Sequence, residues 1–204
     1  MHLIPTEAEV IGLLRKTGAL RQGHFEYPNG LHSDQYLQVA LAMRHYQDAK
    51  LLSVALARHV RAHPEIRAIL PELSIVAPAT GGLPVAYTVC EALQAKQVYW
   101  AERADQGGPL RFRPYLEPAE GEKVLLVDDI LRTGQKLTEL KHMIEAKGAL
   151  VIGLAVIVYQ PTPQTPSFGS LPFYYLAKLN AMYYQDADSV AAQGLPADAH
   201  QVWI

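Results

Sequence analysis

Between residues 75 and 158, short apolar segments alternate with stretches of helical periodicity, and this alternation constrains the fold more than any other feature of the sequence. Repeated strand–turn–helix units form a mostly parallel sheet that is covered by helices on both faces. The sequence therefore predicts an α/β fold with about five parallel strands, in which Asp128 ends a central strand. The predicted strands lie at 75–77, 98–101, 123–127 and 151–158, and the predicted helices at 85–93 and 135–148.

The residues before this region predict two helices and a hairpin. Thr6 and Glu9 have the spacing of a capping box, which marks the start of a helix. Two short extended runs flank the Asn29-Gly30 turn, a combination typical of a β-hairpin. Asp48 is suited to cap a second helix. The predicted elements are a helix over 7–18, hairpin strands at 25–27 and 36–39, and a helix over 48–61.

Charge, cysteine content and hydropathy exclude several classes of protein. Eighteen Lys and Arg against twenty Asp and Glu give a net charge of −2, which argues against non-specific nucleic-acid binding. Cys90 is the single cysteine, so an intramolecular disulfide is impossible. The apolar run at 10–14 is too short for a signal peptide or a membrane span. We expect a cytoplasmic protein without membrane or nucleic-acid partners, and one domain over 1–204, because no long linker occurs.

The strongest local motif follows the apolar strand at 123–127. Asp128 and Asp129 stand at the carboxyl edge of the predicted sheet, where α/β proteins bind ligands. Thr133 and Gly134 then lead into a helix, whose free N–H groups and dipole favour a phosphate. Carboxylates can accept hydrogen bonds from ribose hydroxyls or reach magnesium through water, so the motif suits a sugar phosphate. The alternative is that Asp129 and Thr133 only cap the next helix.

A second turn, at 77–83, also joins a strand to a helix. Its small residues, with Gly81 and Gly82, allow the backbone to approach a ligand closely and to surround an anion. The alternative is a tight turn that needs glycine only for its backbone conformation. Two anion sites at consecutive strand ends suit a substrate with phosphates at both ends.

These residues also resemble a known family. Asp128-Asp129 and the turn that follows resemble the phosphoribosyl-pyrophosphate signature of type I phosphoribosyltransferases. Other segments, over nearly the whole chain and in the same order, are similar to orotate phosphoribosyltransferases. They are GALRQGHF at 18–25, NGLHSDQY at 29–36, PATGG at 78–82, AER at 101–103 and the segment 171–184.

The resemblance implies transfer of ribose 5-phosphate from phosphoribosyl pyrophosphate to orotate, with magnesium, by a homodimer. Asp128 and Asp129 would bind the ribose hydroxyls and, through water, the metal. Residues of two loops would bind the 5-phosphate and the pyrophosphate, and residues of an N-terminal hood, about 1–45 with part of the C-terminal segment, would cover the base. The 5-phosphate loop is Arg132, Thr133, Gly134, Gln135 and Lys136; the pyrophosphate loop is Ala79, Thr80 and Gly81; and the base site is Phe25, Tyr36, Arg132 and Gln160. The residues expected to be catalytic are Asp128, Asp129 and Arg103, and Arg103 would begin a mobile loop over the neighbouring subunit.

Three departures from the family pattern concern the substrate. Arg132 and Lys136 occupy loop positions that are usually small and polar. Tyr159-Gln160 replaces the usual Asp-Arg, and a neutral glutamine cannot form the ionic pair that arginine forms with the orotate carboxylate. The loop 104–108 contains no lysine, so we expect it to stabilise the leaving pyrophosphate less well.

Two explanations follow from these departures. In the first, Arg132 lies beside the base and supplies the charge that Gln160 lacks, so the protein remains an orotate enzyme. In the second, the protein acts on another base, or is a non-catalytic sensor of phosphoribosyl pyrophosphate. A third interpretation of Arg132 alone is a solvated loop cation. The retained acids and both turns favour the enzyme.

Overall fold

A computed structural model describes residues 4–104, 108–163, 165–186, 189, 194–196 and 198–202. The helices are α1 Glu7–Lys16, α2 Ala40–Met43, α3 Tyr46–Arg61, α4 Pro64–Ala68, α5 Gly82–Leu93 and α6 Gln135–Ala146. The strands are β1 Leu20–Glu26, β2 His32–Leu37, β3 Ser74–Pro78, β4 Gln97–Arg103, β5 Leu110–Phe112, β6 Lys123–Leu131, β7 Leu150–Tyr159, β8 Phe173–Lys178, β9 Tyr183–Tyr184 and β10 His200–Gln201.

The central sheet has the strand order β5-β4-β3-β6-β7-β8 in the described part of the chain. All neighbouring pairs are parallel except β4 with β5, so the predicted parallel α/β sheet is confirmed. Side chains alternate between the two faces: Ile75 packs in the core cluster that includes α3 and α5, whereas Val76 packs with α6. Both faces are therefore buried, as the continuous apolar strands require.

The predicted end of β6 at Asp128 is wrong, because the strand continues to Leu131. β7 is ten residues long and pairs with β6 as far as Leu131 opposite Tyr159, which keeps the backbone extended. On the other side, pairing with β3 stops at Val76 opposite Leu126. Asp128 and Asp129 consequently lie on an extended strand at the point where the neighbouring strand has already turned away.

The N-terminal helix begins as its sequence predicts, with Thr6 as N-cap and both hydrogen bonds of the capping box to Glu9. The predicted cap of α3 is wrong, since His45 is the N-cap and Asp48 lies inside the first turn. At that place its carboxylate interacts favourably with the positive end of the helix dipole.

The predicted hairpin is confirmed by the antiparallel pairing of β1 with β2. Two C-terminal strands join it, β9 beside β2 and β10 beside β1, to form a second sheet. These four strands form the sheet of the hood, which comprises about 1–45 together with the C-terminal strands β9 and β10. Within it, the buried imidazoles of His24 and His32 lie 2.8 Å apart, nitrogen to nitrogen, and the other nitrogen of His24 lies 2.8 Å from the carbonyl oxygen of Pro196. The C-terminal segment is thereby tied to the hairpin.

At the amino ends of the sheet strands, Glu122 connects neighbouring segments. Its carboxylate accepts hydrogen bonds from the Ser74 hydroxyl, from Gln97 Nε2 at 2.6 Å and from the backbone N–H of Ala119 at 2.9 Å. Burial alone would raise the pKa of Glu122, but these hydrogen bonds lower it below its ordinary value. This edge of the sheet is therefore stabilised by an ionised carboxylate.

In the parts of the chain that the structure describes, we find no helix with the length and apolar character that crossing a bilayer requires.

Candidate active site

The glycine turn and the two acids are in direct contact at the carboxyl edge of the sheet. A Cβ atom at Gly81 would lie 2.8 Å from Asp129 Oδ2, and one at Gly82 would lie 3.0 Å from Asp128 Oδ1. A side chain at Gly81 would force Asp129 to shift, and one at Gly82 would crowd Asp128, so glycine at both positions allows the close approach. The glycine turn and the two acids, predicted separately, thus form one surface.

The turn itself is short and leaves backbone groups exposed. Ala79 donates its N–H to the carbonyl of Ala101 at 2.8 Å, which fixes the turn to β4, and the Ala79–Thr80 peptide bond is cis. Thr80 is exposed and Ala79 and Gly81 are partly exposed. The loop therefore borders open space next to the acids.

The two carboxylates are held by their own backbone. Asp128 Oδ1 accepts the N–H of Asp129 at 2.9 Å, and Asp129 Oδ1 accepts the N–H of Ile130 at 2.8 Å. Burial, and then the charge of Asp129, raise the pKa of Asp128 well above its usual range; burial likewise raises the pKa of Asp129. The positive charge of Lys136 opposes this rise in the pKa of both acids. A bound cation, or hydroxyl donors from a ligand, would stabilise the paired negative charge further.

The second turn lies at the start of α6. Gly134 adopts a left-handed conformation, with φ of 72°, and is the N-cap, while Thr133, Gln135 and Lys136 are exposed around it. A Cβ at Gly134 would lie 2.9 Å from Pro166 Cδ, so both conformation and space call for glycine. Asp129 does not cap this helix, and for that residue the capping alternative is wrong.

Arg132 points towards the hood and contacts Gln160. Its Nε donates to Gln160 Oε1 at 2.9 Å, and its Nη2 lies 3.4 Å from the carbonyl oxygen of Leu37. The guanidinium carbon lies 5.8 Å from the centre of the Tyr27 ring, within range of a cation–π interaction. The interpretation of Arg132 as a solvated loop cation is therefore wrong.

The aromatic residues of the hood form a cluster beside Arg132. The ring centres of Phe25 and Tyr36 are 5.7 Å apart, and those of Tyr27 and Tyr36 are 6.4 Å apart. Tyr183 from β9 lies 6.1 Å from Tyr27, and its hydroxyl is buried without a hydrogen-bond partner among the described residues. Burial raises the pKa of Tyr27 to about 12, against the opposing effect of Arg132.

Sequence reasoning named Phe25 and Tyr36 but missed Tyr27 and Tyr183. Tyr27 follows Phe25 by two residues, the spacing that returns a side chain to the same side of an extended chain, so its pattern could have been noticed. Nothing local could have predicted Tyr183, because it joins the hood by pairing across about 150 residues with Ser33, a consequence of long-range topology.

Arg103 lies against α6. Its Nη2 is 2.7 Å from Glu139 Oε2, and its Nη1 donates to the carbonyl of Gly108. The other oxygen of Glu139 accepts the N–H of Leu110 at 2.6 Å, so one carboxylate holds the end of β4 and the start of β5. The lysine-poor stretch predicted within 104–108 falls partly at 105–107, outside the described residues.

Comparison with known proteins agrees with this geometry. The family described as "Phosphoribosyl transferase domain" matches residues 68–169, which hold both turns and both acids. Orotate phosphoribosyltransferase of Carboxydothermus hydrogenoformans is 34% identical over 179 residues, covering 87% of this chain and 88% of the relative. The enzyme of that name from Thermus thermophilus is 30% identical over 191 residues, 93% of this chain and 98% of the relative.

The chain belongs to the orotate phosphoribosyltransferase family.

Solved structures support the same fold. The crystal structure of orotate phosphoribosyltransferase from Aeropyrum pernix matches with a TM-score of 0.66 and 20% identity, over 83% of this chain and 93% of that one. Adenine phosphoribosyltransferase from Thermoanaerobacter pseudethanolicus matches with a TM-score of 0.58 and 14% identity, over 71% and 88%. Since both share the fold, the base must be argued from the residues around Arg132.

Proposed function

We propose that this protein transfers ribose 5-phosphate from phosphoribosyl pyrophosphate to orotate, giving orotidine 5'-monophosphate and pyrophosphate. Membership of the orotate phosphoribosyltransferase family supports this reaction. The observation that carries the proposal is the contact of Asp128 and Asp129 with the glycine turn, on the strand that leads directly into the Thr133–Gly134 turn. One strand end thus offers acceptors for ribose between two loops suited to phosphates.

The two loops have separate tasks in this proposal. Thr133, Gly134, Gln135 and Lys136 bind the 5-phosphate at the start of α6, where the positive end of the helix dipole and a lysine charge meet. Ala79, Thr80 and Gly81 bind the pyrophosphate through the backbone of the other turn. Asp128 and Asp129 accept hydrogen bonds from the ribose hydroxyls between the two loops.

Magnesium fits this site as a substrate-bound ion. Among the described residues, no group of three or more His, Cys, Asp or Glu side chains is placed to hold a metal. Two carboxylates whose pKa values are raised by burial would nevertheless be stabilised by a divalent cation whose other ligands are water and substrate oxygens. Magnesium would supply charge neutralisation at the pyrophosphate, with Asp128 and Asp129 holding it directly or through water.

The base lies between the sheet edge and the hood in this proposal. Phe25 and Tyr36 cover it from the hood, and Arg132 pairs with the orotate carboxylate, held there by Gln160. Arg132 therefore acts at the base rather than at the 5-phosphate. The charge absent from Gln160 is supplied by its hydrogen-bond partner, 2.9 Å away.

In the reaction, a ring nitrogen of orotate forms a bond to the anomeric carbon of ribose while the carbon–oxygen bond to pyrophosphate breaks. The electron pair of that bond leaves with pyrophosphate, and the proton of the ring nitrogen is lost to solvent. The transition state has oxocarbenium character. The protein holds both reactants in line and stabilises charge on the leaving group. Arg103, at the end of β4, helps to stabilise charge on the leaving pyrophosphate when its ion pair with Glu139 is broken.

We also propose a homodimer whose protomer is one domain, with 1–45 and part of the C-terminal segment completing the hood. The support is family membership, the loop that begins at Arg103 and the aromatic segment near Tyr174 on the edge strand β8. Light scattering at micromolar concentration should give twice the mass of the chain, and a monomer would contradict a shared site.

The test of the proposed reaction is release of pyrophosphate from phosphoribosyl pyrophosphate, measured with orotate, uracil, adenine and hypoxanthine. We expect magnesium-dependent release with orotate and at least tenfold less with each other base. Faster release with another base would identify a different transferase. Binding of phosphoribosyl pyrophosphate without turnover of any base would favour the sensor.

A further inference from the structure

We propose that Gln160 determines the choice of base, by making the site beside Arg132 a surface of hydrogen-bond donors that accepts a carboxylate. This inference rests on the proposed function and assigns Gln160 a role other than replacing a lost arginine. It concerns a side chain that is 1% exposed and follows directly after β7.

The backbone of Gln160 is fixed. Its N–H donates to the carbonyl of Leu131 at 2.9 Å, continuing the pairing of β6 with β7. The same register brings Arg132, the residue after Leu131, beside it. Both residues directly follow the last paired residues of β6 and β7, and the hydroxyl of Thr165 donates to the carbonyl of Arg132, so their side chains meet at the end of the strand pair.

The orientation of the Gln160 amide follows from the chemistry of its partner. A guanidinium only donates hydrogen bonds, so the atom 2.9 Å from Arg132 Nε must be the amide oxygen. The amide NH2 group therefore points elsewhere, and it donates to no atom of the described residues. Its two N–H donors remain available to a ligand.

Arg132 has donors to spare as well. Of its five N–H groups, one is used by Gln160 and one points to the carbonyl of Leu37 at 3.4 Å. The Tyr27 ring restricts the guanidinium on one side. Gln160 is neutral, so it orients Arg132 without neutralising it, and the positive charge, which also acts on Asp129, remains available to the ligand.

The pair thus offers a positive charge and N–H donors. A carboxylate, which only accepts, matches this pattern, whereas an exocyclic amine or a ring N–H does not. A glutamate at position 160 would keep the contact with Arg132 but would add an acceptor and a negative charge. Comparing carboxylate binding with glutamine and with glutamate at position 160 therefore tests the inference directly.

The experiment compares Gln160→Glu, Gln160→Met and the unmutated protein by titration calorimetry with two nucleotides. Orotidine 5'-monophosphate and uridine 5'-monophosphate share the ribose and the phosphate and differ only in the carboxylate. We expect Gln160→Glu to weaken orotidine 5'-monophosphate binding by at least thirtyfold and Gln160→Met by three- to tenfold. Uridine 5'-monophosphate should change by less than twofold in both. Gln22→Glu, the same exchange at an exposed position of β1, should change neither.

The outcomes separate this inference from the proposed function. If the unmutated protein does not prefer orotidine 5'-monophosphate, both fail. If it does, but Gln160→Glu binds both nucleotides as before, only the role of Gln160 fails. An equal loss for both nucleotides in Gln160→Glu and Gln160→Met, with a lower melting temperature, would show a structural role instead and would also overturn the inference.

Discussion

Replacing Arg132 by alanine tests the position of the base in the site. The substitution removes the hydrogen bond to Gln160, the 3.4 Å contact with the Leu37 carbonyl and the cation beside Tyr27. A charge-assisted hydrogen bond to the substrate contributes about 1.5–3 kcal/mol, so orotate binding should weaken by about ten- to a hundredfold. Phosphoribosyl pyrophosphate should bind as before, because its phosphates are assigned to the two turns.

Titration calorimetry with each substrate measures both affinities on the same variant. Arg132→Lys keeps the charge but loses the planar guanidinium, so we expect an intermediate affinity for orotate. Lys141→Ala removes an equal charge from an ion pair with Glu145 on α6 and serves as the control. Unchanged orotate affinity in Arg132→Ala would refute the assignment to the base, and a selective loss of phosphoribosyl pyrophosphate would return Arg132 to the 5-phosphate loop.

The remaining predictions concern the glycine turn and the opposite edge of the sheet. Gly81→Ala should reduce the affinity for phosphoribosyl pyrophosphate at least tenfold by calorimetry, since the new Cβ would lie 2.8 Å from Asp129 Oδ2. The control is Gly12→Ala on α1, where a new Cβ has nothing within 4 Å. It should leave binding intact and raise the free energy of unfolding by about 0.5–1 kcal/mol. Glu122→Gln should lower the urea unfolding free energy at pH 7 by about 1–3 kcal/mol, because the buried Ser74 hydroxyl and the part-buried Gln97 amide lose a charged acceptor. Because the pKa of Glu122 is lower in the folded protein, its ionised form stabilises the fold at pH values above the unfolded pKa. The difference in unfolding free energy between the unmutated protein and Glu122→Gln should therefore shrink as the pH falls through the folded pKa. A difference that stays constant with pH would contradict this role of Glu122.

The sequence predicted the parallel sheet, the hairpin, the two acids and the two turns, but not the contact of the acids with the glycine turn. Periodicity predicts which segments are strands, because buried faces need apolar residues. It could not predict that β6 extends to Leu131, since the extension depends on the length and register of β7, including the register shift between Val124 and Leu125. The sequence placed both Arg132 and Gln160 at the base, but it could not predict the hydrogen bond between them, because that contact follows from the same register.

We propose that Asp128 and Asp129 form the binding site for phosphoribosyl pyrophosphate with magnesium. Titration calorimetry of phosphoribosyl pyrophosphate, with and without magnesium, tests it on the unmutated protein and on the double variant Asp128→Asn, Asp129→Asn. Glu91→Gln, an exposed change in the last turn of α5, is the control. We expect binding that magnesium strengthens, at least a hundredfold loss in the double variant without a lower melting temperature, and no effect of the control. Absence of binding by the unmutated protein, or equal binding by the double variant, would contradict the account.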